Sequence, residues 1–269
     1  MRKEHSVDDI ISFRASDGSS VKLECRSTLH STLELAREYA KAGYPDKYVV
    51  FTERQATSSL TAAKHTSGEY ENGIFMSCIL RPTFFSSQAG PLGPLSAVAL
   101  CTALEQHTTK KPGIGWVSDI YCGGRRIGGT AIEGKLNDYT SYEYLIVSFA
   151  VRTDGDNFPG RLSDMVKKVF ESDDLTVGTI IAKSILNKFF TVYSAYKSPE
   201  KYMDIYKDRF MLYGKKIKYI EDGRKRSCRV LDVDKSSCSL LVETSSGIKE
   251  IRSPRAVIIP DRFKPEKSE

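Results

Sequence analysis

The sequence predicts an α/β protein. A mixed sheet with flanking helices is expected over residues 1–213, a small β-barrel over residues 214–262, and a frayed tail over residues 263–269. Three observations lead there. Before residue 214, apolar residues recur sometimes with a period of two and sometimes at helical spacing, so strands and helices interleave, as in a sheet covered by helices. After Gly214 the helical spacing stops. Five short alternating runs follow, punctuated by Glu221-Asp222-Gly223, Asp234-Lys235-Ser236 and Ser245-Ser246-Gly247, which suits a small closed barrel. A chain of 269 residues, 40% of them hydrophobic, also buries a full core without staples.

The elements follow in order. Residues 10–14 and 21–26 flank Ser16-Asp17-Gly18 as a hairpin. Leu33, Ala36, Tyr39 and Ala40 repeat at helical spacing; Ser31 with Glu34 forms a capping-box pattern, and Gly43 ends the helix. Residues 47–52 and 72–80 are core strands. Within residues 91–106, Leu95, Val98, Ala99, Thr102 and Ala103 mark one side of an amphipathic helix. Residues 142–151 are a buried strand. Helices are expected over 161–170, 176–196 and 199–213, with Pro199 at an N-terminal position and Gly214 closing the last. The stripe Ile180, Ile181, Ile185, Phe189 and Val192 is core.

Residues 116–136 carry the chemistry. Residues 116–121 read as a strand, Cys122-Gly123-Gly124 as a turn, and Arg125-Arg126-Ile127 as a second strand. Gly128-Gly129 then leaves the backbone bare, as happens where a ligand or another backbone comes close. This Trp-x-x-Asp turn, followed by basic-basic-Ile-Gly-Gly, resembles the catalytic core of biotin protein ligases, whose usual form is Lys-Trp-Pro-Asn-Asp, then Arg/Lys-Lys-hydrophobic-Ala/Gly-Gly. Lipoate ligases share that superfamily. Trp116 and Asp119 match. Gly115 stands where the first Lys would be, Ser118 replaces the Asn, and Arg126 occupies the place of the catalytic Lys.

The resemblance extends along the chain. Ser31-Thr32 resembles the Ser-Thr whose hydroxyls face the ureido ring of biotin, and Gln55 the family's strand-end Gln that reaches the same ring. A ureido group calls for neutral donors and acceptors, which hydroxyls and an amide supply. Residues 72–77 resemble the family strand Gly-x-Leu-Tyr-x-Ser and count as framework. Two elements depart. The family's Gly-Arg-Gly-Arg-Arg-Gly phosphate loop is replaced by a run without glycine over residues 58–64, where Lys64 is the one cation left for a nucleotide. The family's Gly-x-Gly-x-Asn is replaced by Val147-Ser148-Phe149-Ala150-Val151. The five C-terminal strands match the barrel that biotin ligases carry and lipoate ligases usually lack.

The resemblance therefore implies biotin contacts at Ser31, Thr32, Gln55, Trp116, Gly128 and Gly129, and catalytic roles for Arg126 and Asp119. Biotin would be activated with ATP and Mg²⁺ and passed to a lysine of a carrier domain. The alternative is a catalytically impaired relative that binds biotin, a related acyl acid or a carrier domain as a sensor or scaffold. Ligation of lipoate or a fatty acid is a third reading. A homodimer is left open.

Other classes are disfavoured. The net charge of +6 owes part of its size to the basic run at residues 215–229, read as a solvated face rather than a nucleic-acid site. The six cysteines are scattered without Cys-x-x-Cys, and no His-x-x-x-His occurs, so no metal site is expected. Single thiols in apolar runs suit a reducing cytoplasm. No apolar h-region follows the first residues and no long apolar stretch occurs, so neither secretion nor a membrane span is expected. No helix-turn-helix precedes the first hairpin, so a repressor role is not implied.

Overall fold

The computed structural model describes residues 9–56, 71–153, 177–253 and 256–259. The expected helix over 161–170, the run containing Lys64, and the tail at 263–269 lie outside them.

One sheet of eight strands dominates the molecule, in the order β1-β2-β3-β4-β8-β7-β6-β5. β1 (Asp9–Arg14) and β2 (Ser20–Arg26) form the first hairpin. β2 pairs in parallel with β3 (Tyr48–Gln55) through α1 (Thr32–Lys41). β4 (Glu71–Leu80), β8 (Tyr142–Arg152), β7 (Arg125–Leu136), β6 (Asp119–Cys122) and the short β5 (Gly113–Ile114) continue it antiparallel.

Side chains alternate across a strand, so each strand feeds two cores. On one face Ala36 and Ala40 of α1 pack on Tyr48, Val50, Ile79 and Ile146. On the other face α2 (Leu92–Leu104) and α3 (Val177–Tyr193) cover Val49, Met76, Val147, Phe149 and Val151. α4 (Glu200–Arg209) adds Tyr202, Met203 and Tyr206 to the same core. The expectation for α2 needs correction. It is not one-sided but buried nearly all round, Ser96 included, because it lies between the sheet on one side and α3 and α4 on the other. The stripe on α3 is core at Ile181, Ile185 and Phe189, while Ile180 and Val192 are half-buried.

The C-terminal segment forms a second sheet of five strands, in the order β12-β11-β10-β9-β13. These are β9 (Lys216–Glu221), β10 (Arg224–Val233), β11 (Leu240–Thr244), β12 (Gly247–Ile251) and β13 (Ala256–Ile258). The five expected strands are present. Among the described residues, however, no ladder joins β12 to β13, so the element is an open sheet and not a demonstrated barrel. Its inner residues, including Tyr219, Val230, Leu240 and Val242, run into the large core.

Candidate functional site

The site is built where the end of β3 meets the start of α1. Ser31 caps α1: its backbone is extended and its Oγ accepts from the Glu34 N–H at 3.3 Å. The preceding segment is tied to β3, because the Leu29 N–H donates to the Arg54 carbonyl at 3.0 Å and the Ala56 N–H to the Leu29 carbonyl at 3.1 Å. Gln55 thereby lies under the first helical turn. Its Oε1 accepts from the Thr32 N–H at 2.7 Å, satisfying a donor that a helix start leaves without a partner in the helix. Thr32 Oγ1 in turn accepts from Ser77 Oγ at 3.0 Å, and Ser77 Oγ lies 2.8 Å from Ser148 Oγ.

All five of these residues are buried. The structure thus brings Ser31, Thr32 and Gln55 together. It adds Ser77, which the sequence marked only as framework, and Ser148, which it missed. The available signal was a single hydroxyl inside each of two apolar strand runs, GIFMSCIL and YLIVSFAV. A buried hydroxyl needs a partner, and two in facing strands supply each other. The cluster presents neutral donors and acceptors, the chemistry for a polar uncharged heterocycle rather than an ion.

β8 alternates its side chains between the two faces of the sheet. Val147, Phe149 and Val151 face the core under α2 and α3, while Ile146 joins the α1 core and Ser148 reaches Ser77. The residues of β8 on the site's face are therefore the alternate set. With a period of two, an offset of one residue exchanges the faces completely.

The hairpin forms beside this cluster. Gly123 and Gly124 both have positive φ, +58° and +78°, as a two-residue hairpin turn of right-handed strands requires. The register shifts past Tyr121, which pairs with Arg126 while Ile120 pairs with Gly128, so Ile127 is the extra residue of a bulge. A Cβ at Gly128 would lie 2.2 Å from the Ala150 carbonyl oxygen, and one at Gly129 2.9 Å from that of Ser118. Close backbone neighbours explain both glycines. The expected strand over 116–121 begins only at Asp119, because the loop before it is held from outside: the Tyr206 hydroxyl donates to the Val117 carbonyl at 2.9 Å.

Asp119 and Arg126 form an ion pair, Nε to Oδ1 at 2.7 Å, with side chains 23% and 19% exposed. Burial pushes the Asp119 carboxyl above the usual carboxylate range, and the Arg126 guanidinium partly opposes that rise. Where the resemblance calls for a Lys, a Cβ on Gly115 would lie 2.8 Å from the Tyr121 ring, so a side chain enters only if that ring moves.

Trp116 is not gathered with the hydroxyl cluster. Its ring is buried in the core on the α2 side, and its indole N–H donates to the Cys238 carbonyl of the C-terminal sheet at 2.6 Å. In this structure the residue expected to touch ligand ties the hairpin loop to the second sheet. Among the described residues no cluster of three or more His, Cys, Asp or Glu side chains could hold a metal ion, no helix is long and apolar enough to cross a membrane, and all six cysteines are free thiols.

No family model matches the chain. The bifunctional ligase/repressor BirA of Bacillus spizizenii is 25% identical over 148 residues, 55% of this chain and 46% of that protein. The chain spans about half the length of the curated relatives it matches. Among solved structures, the biotin protein ligase from Aquifex aeolicus in complex with biotin and ATP superposes with a TM-score of 0.65 at 17% identity, covering 89% of this chain and 99% of that one. A biotin protein ligase-like protein of unknown function from Silicibacter sp. TM1040 gives 0.60 at 15% identity, covering 86% and 94%. The fold of the chain is therefore that of the biotin protein ligases of known structure, and over about half its length its sequence is similar to that of the BirA proteins.

Proposed function

We propose that this chain binds biotin on the hydroxyl–amide cluster, activates it with ATP and Mg²⁺ to the acyl-adenylate, and passes the acyl group to a lysine of a carrier domain. The observation that supports this best is the assembled cluster of uncharged residues: Thr32, Gln55 and Ser77, from three separate elements, are joined by direct hydrogen bonds, and Ser31 caps the same helix start. In this reading Ser31, Thr32 and Gln55 contact the ureido ring, with Gly128 and Gly129 bordering the site. Arg126 takes the place of the family's catalytic Lys beside the carboxylate and α-phosphate, Asp119 holds its guanidinium, and Lys64 meets the nucleotide. Free buried thiols fit a reducing compartment such as the cytoplasm.

A second reading has its own support. Arg126 is engaged by Asp119, and an arginine differs from a lysine in reach and geometry; in this reading the cluster binds biotin without activating it, as a sensor or scaffold. Pyrophosphate release separates the two. The ligase reading expects biotin-dependent release from Mg-ATP; biotin binding without release, in both the wild type and Arg126→Lys, contradicts it in favour of the binder. Release appearing only in Arg126→Lys would mean that the missing lysine alone disables the chain.

A further inference from the structure

The basic run at residues 215–229 takes no part in the site above. In the structure it becomes one side of the β9–β10 hairpin. Cross-strand register sets Lys216 directly opposite Arg229, Lys218 opposite Ser227, and Ile220 opposite Lys225. All six are exposed, on the face turned away from the core that buries Ile217, Tyr219, Cys228 and Val230. Like charges set opposite each other destabilise a strand pair. Among the described residues no ion pair relieves this one. Glu221 serves Lys249 at 2.6 Å and Arg226 at 3.4 Å, and Glu250 holds Arg252 at 3.0 Å. Glu243 stands across from Arg229 in β11 without an ion pair to it among the described residues.

A groove of about 440 Å³ opens here, lined by Lys216, Ser227, Arg229, Glu243, Thr244 and Ser245. Next to it, on the same face, Leu231, Leu241 and Ile248 are exposed by 37%, 41% and 66%. Asp232, next to Leu231, pairs with Leu241, and Leu241 lies diagonally from Ile248 across the next ladder, so the three are neighbours. The face therefore combines basic side chains that no ion pair engages among the described residues with an aliphatic patch bordered by Glu243 and Glu250.

We propose that this outer face docks an acidic, partly apolar protein surface, that of the carrier domain which receives the acyl group. Single-stranded nucleic acid is the poorer fit, since the face offers aliphatic side chains and Glu243 where stacking aromatics would be needed. The Trp116–Cys238 hydrogen bond fixes this sheet to the hairpin loop, so a partner held here keeps a set position relative to the site. The identity of the partner rests on the ligase reading; the charge and shape of the surface do not.

The test uses the full chain with two surface variants, Lys216→Glu/Arg229→Glu and Leu241→Ser/Ile248→Ser. The probes are poly-L-glutamate, a single-stranded oligonucleotide, and the apo biotin-carrier domain of an acetyl-CoA carboxylase. The charge variant should weaken poly-L-glutamate and carrier binding by about tenfold or more, and the apolar variant should weaken carrier binding alone. Biotin titrated into the same variants should bind as in the wild type. Unchanged carrier affinity in both variants, or tighter binding of the oligonucleotide than of either protein probe, overturns the docking surface. Loss of biotin binding in the wild type overturns the proposed function instead, and is read separately.

Discussion

Gln55 occupies a position where one amide does two jobs. Its oxygen satisfies the Thr32 N–H, which brings the first turn of α1 down onto the strand end and Thr32 Oγ1 within reach of Ser77. Ser31 was recognisable from its capping pattern with Glu34, and Gln55 through the resemblance alone. Ser148 was not, because its role depends on which residue of β4 it faces. Asp119 offers a test at the same scale. Burial raises its carboxyl pKa and Arg126 restrains the rise, so protonation favours the folded state relative to an exposed Asp. The stability linked to this group is fullest at low pH and is lost as pH rises through its raised folded value. Followed by carboxyl NMR, Asp119 should titrate above the ordinary value of 3.8, and higher still in Arg126→Gln. A midpoint at or below 3.8 would mean that the ion pair outweighs burial, and no further rise in the variant would mean that Arg126 does not restrain the carboxyl.

Among the elements, the regular ones were legible and the irregular ones were not. Alternation and apolar runs located the strands of both sheets to within a few residues, the two-residue β5 excepted, and spacing with the Ser31 cap located α1. The start of β6 was misplaced because residues 116–118 have strand-forming side chains but are held as a loop by Tyr206 and by the Trp116–Cys238 bond, partners distant in the chain. Which face each residue of β8 takes was not legible, because register belongs to a pair of strands and a single strand does not reveal it. The same indole bond gives the element-scale prediction. Trp116→Phe keeps most of the buried ring but leaves the Cys238 carbonyl without its donor, and should lower unfolding stability by about 1–3 kcal/mol in chemical denaturation followed by circular dichroism. No loss would mean that the two sheets are held together by apolar packing alone.

The whole molecule is a scaffold in which one sheet presents a small polar cluster beneath α1 while its other face packs into the large core that α2, α3, α4 and the C-terminal sheet share. The fold class was legible because both periodicities were strong. Barrel closure was not, since it depends on contacts between the first and last strands of the module. Half of the expected site, the hydroxyls and the amide, assembled as a unit; the other half, Arg126, Asp119 and Trp116, is engaged with the protein's own groups. The central claim is that the cluster recognises a neutral heterocycle, and calorimetric titration with biotin tests it most directly. The wild type should bind biotin saturably at one site, and Gln55→Ala or Ser77→Ala should each weaken binding by about 1–3 kcal/mol, roughly fivefold to 150-fold. Absence of saturable binding, or equal affinity in the wild type and both variants, would contradict the account.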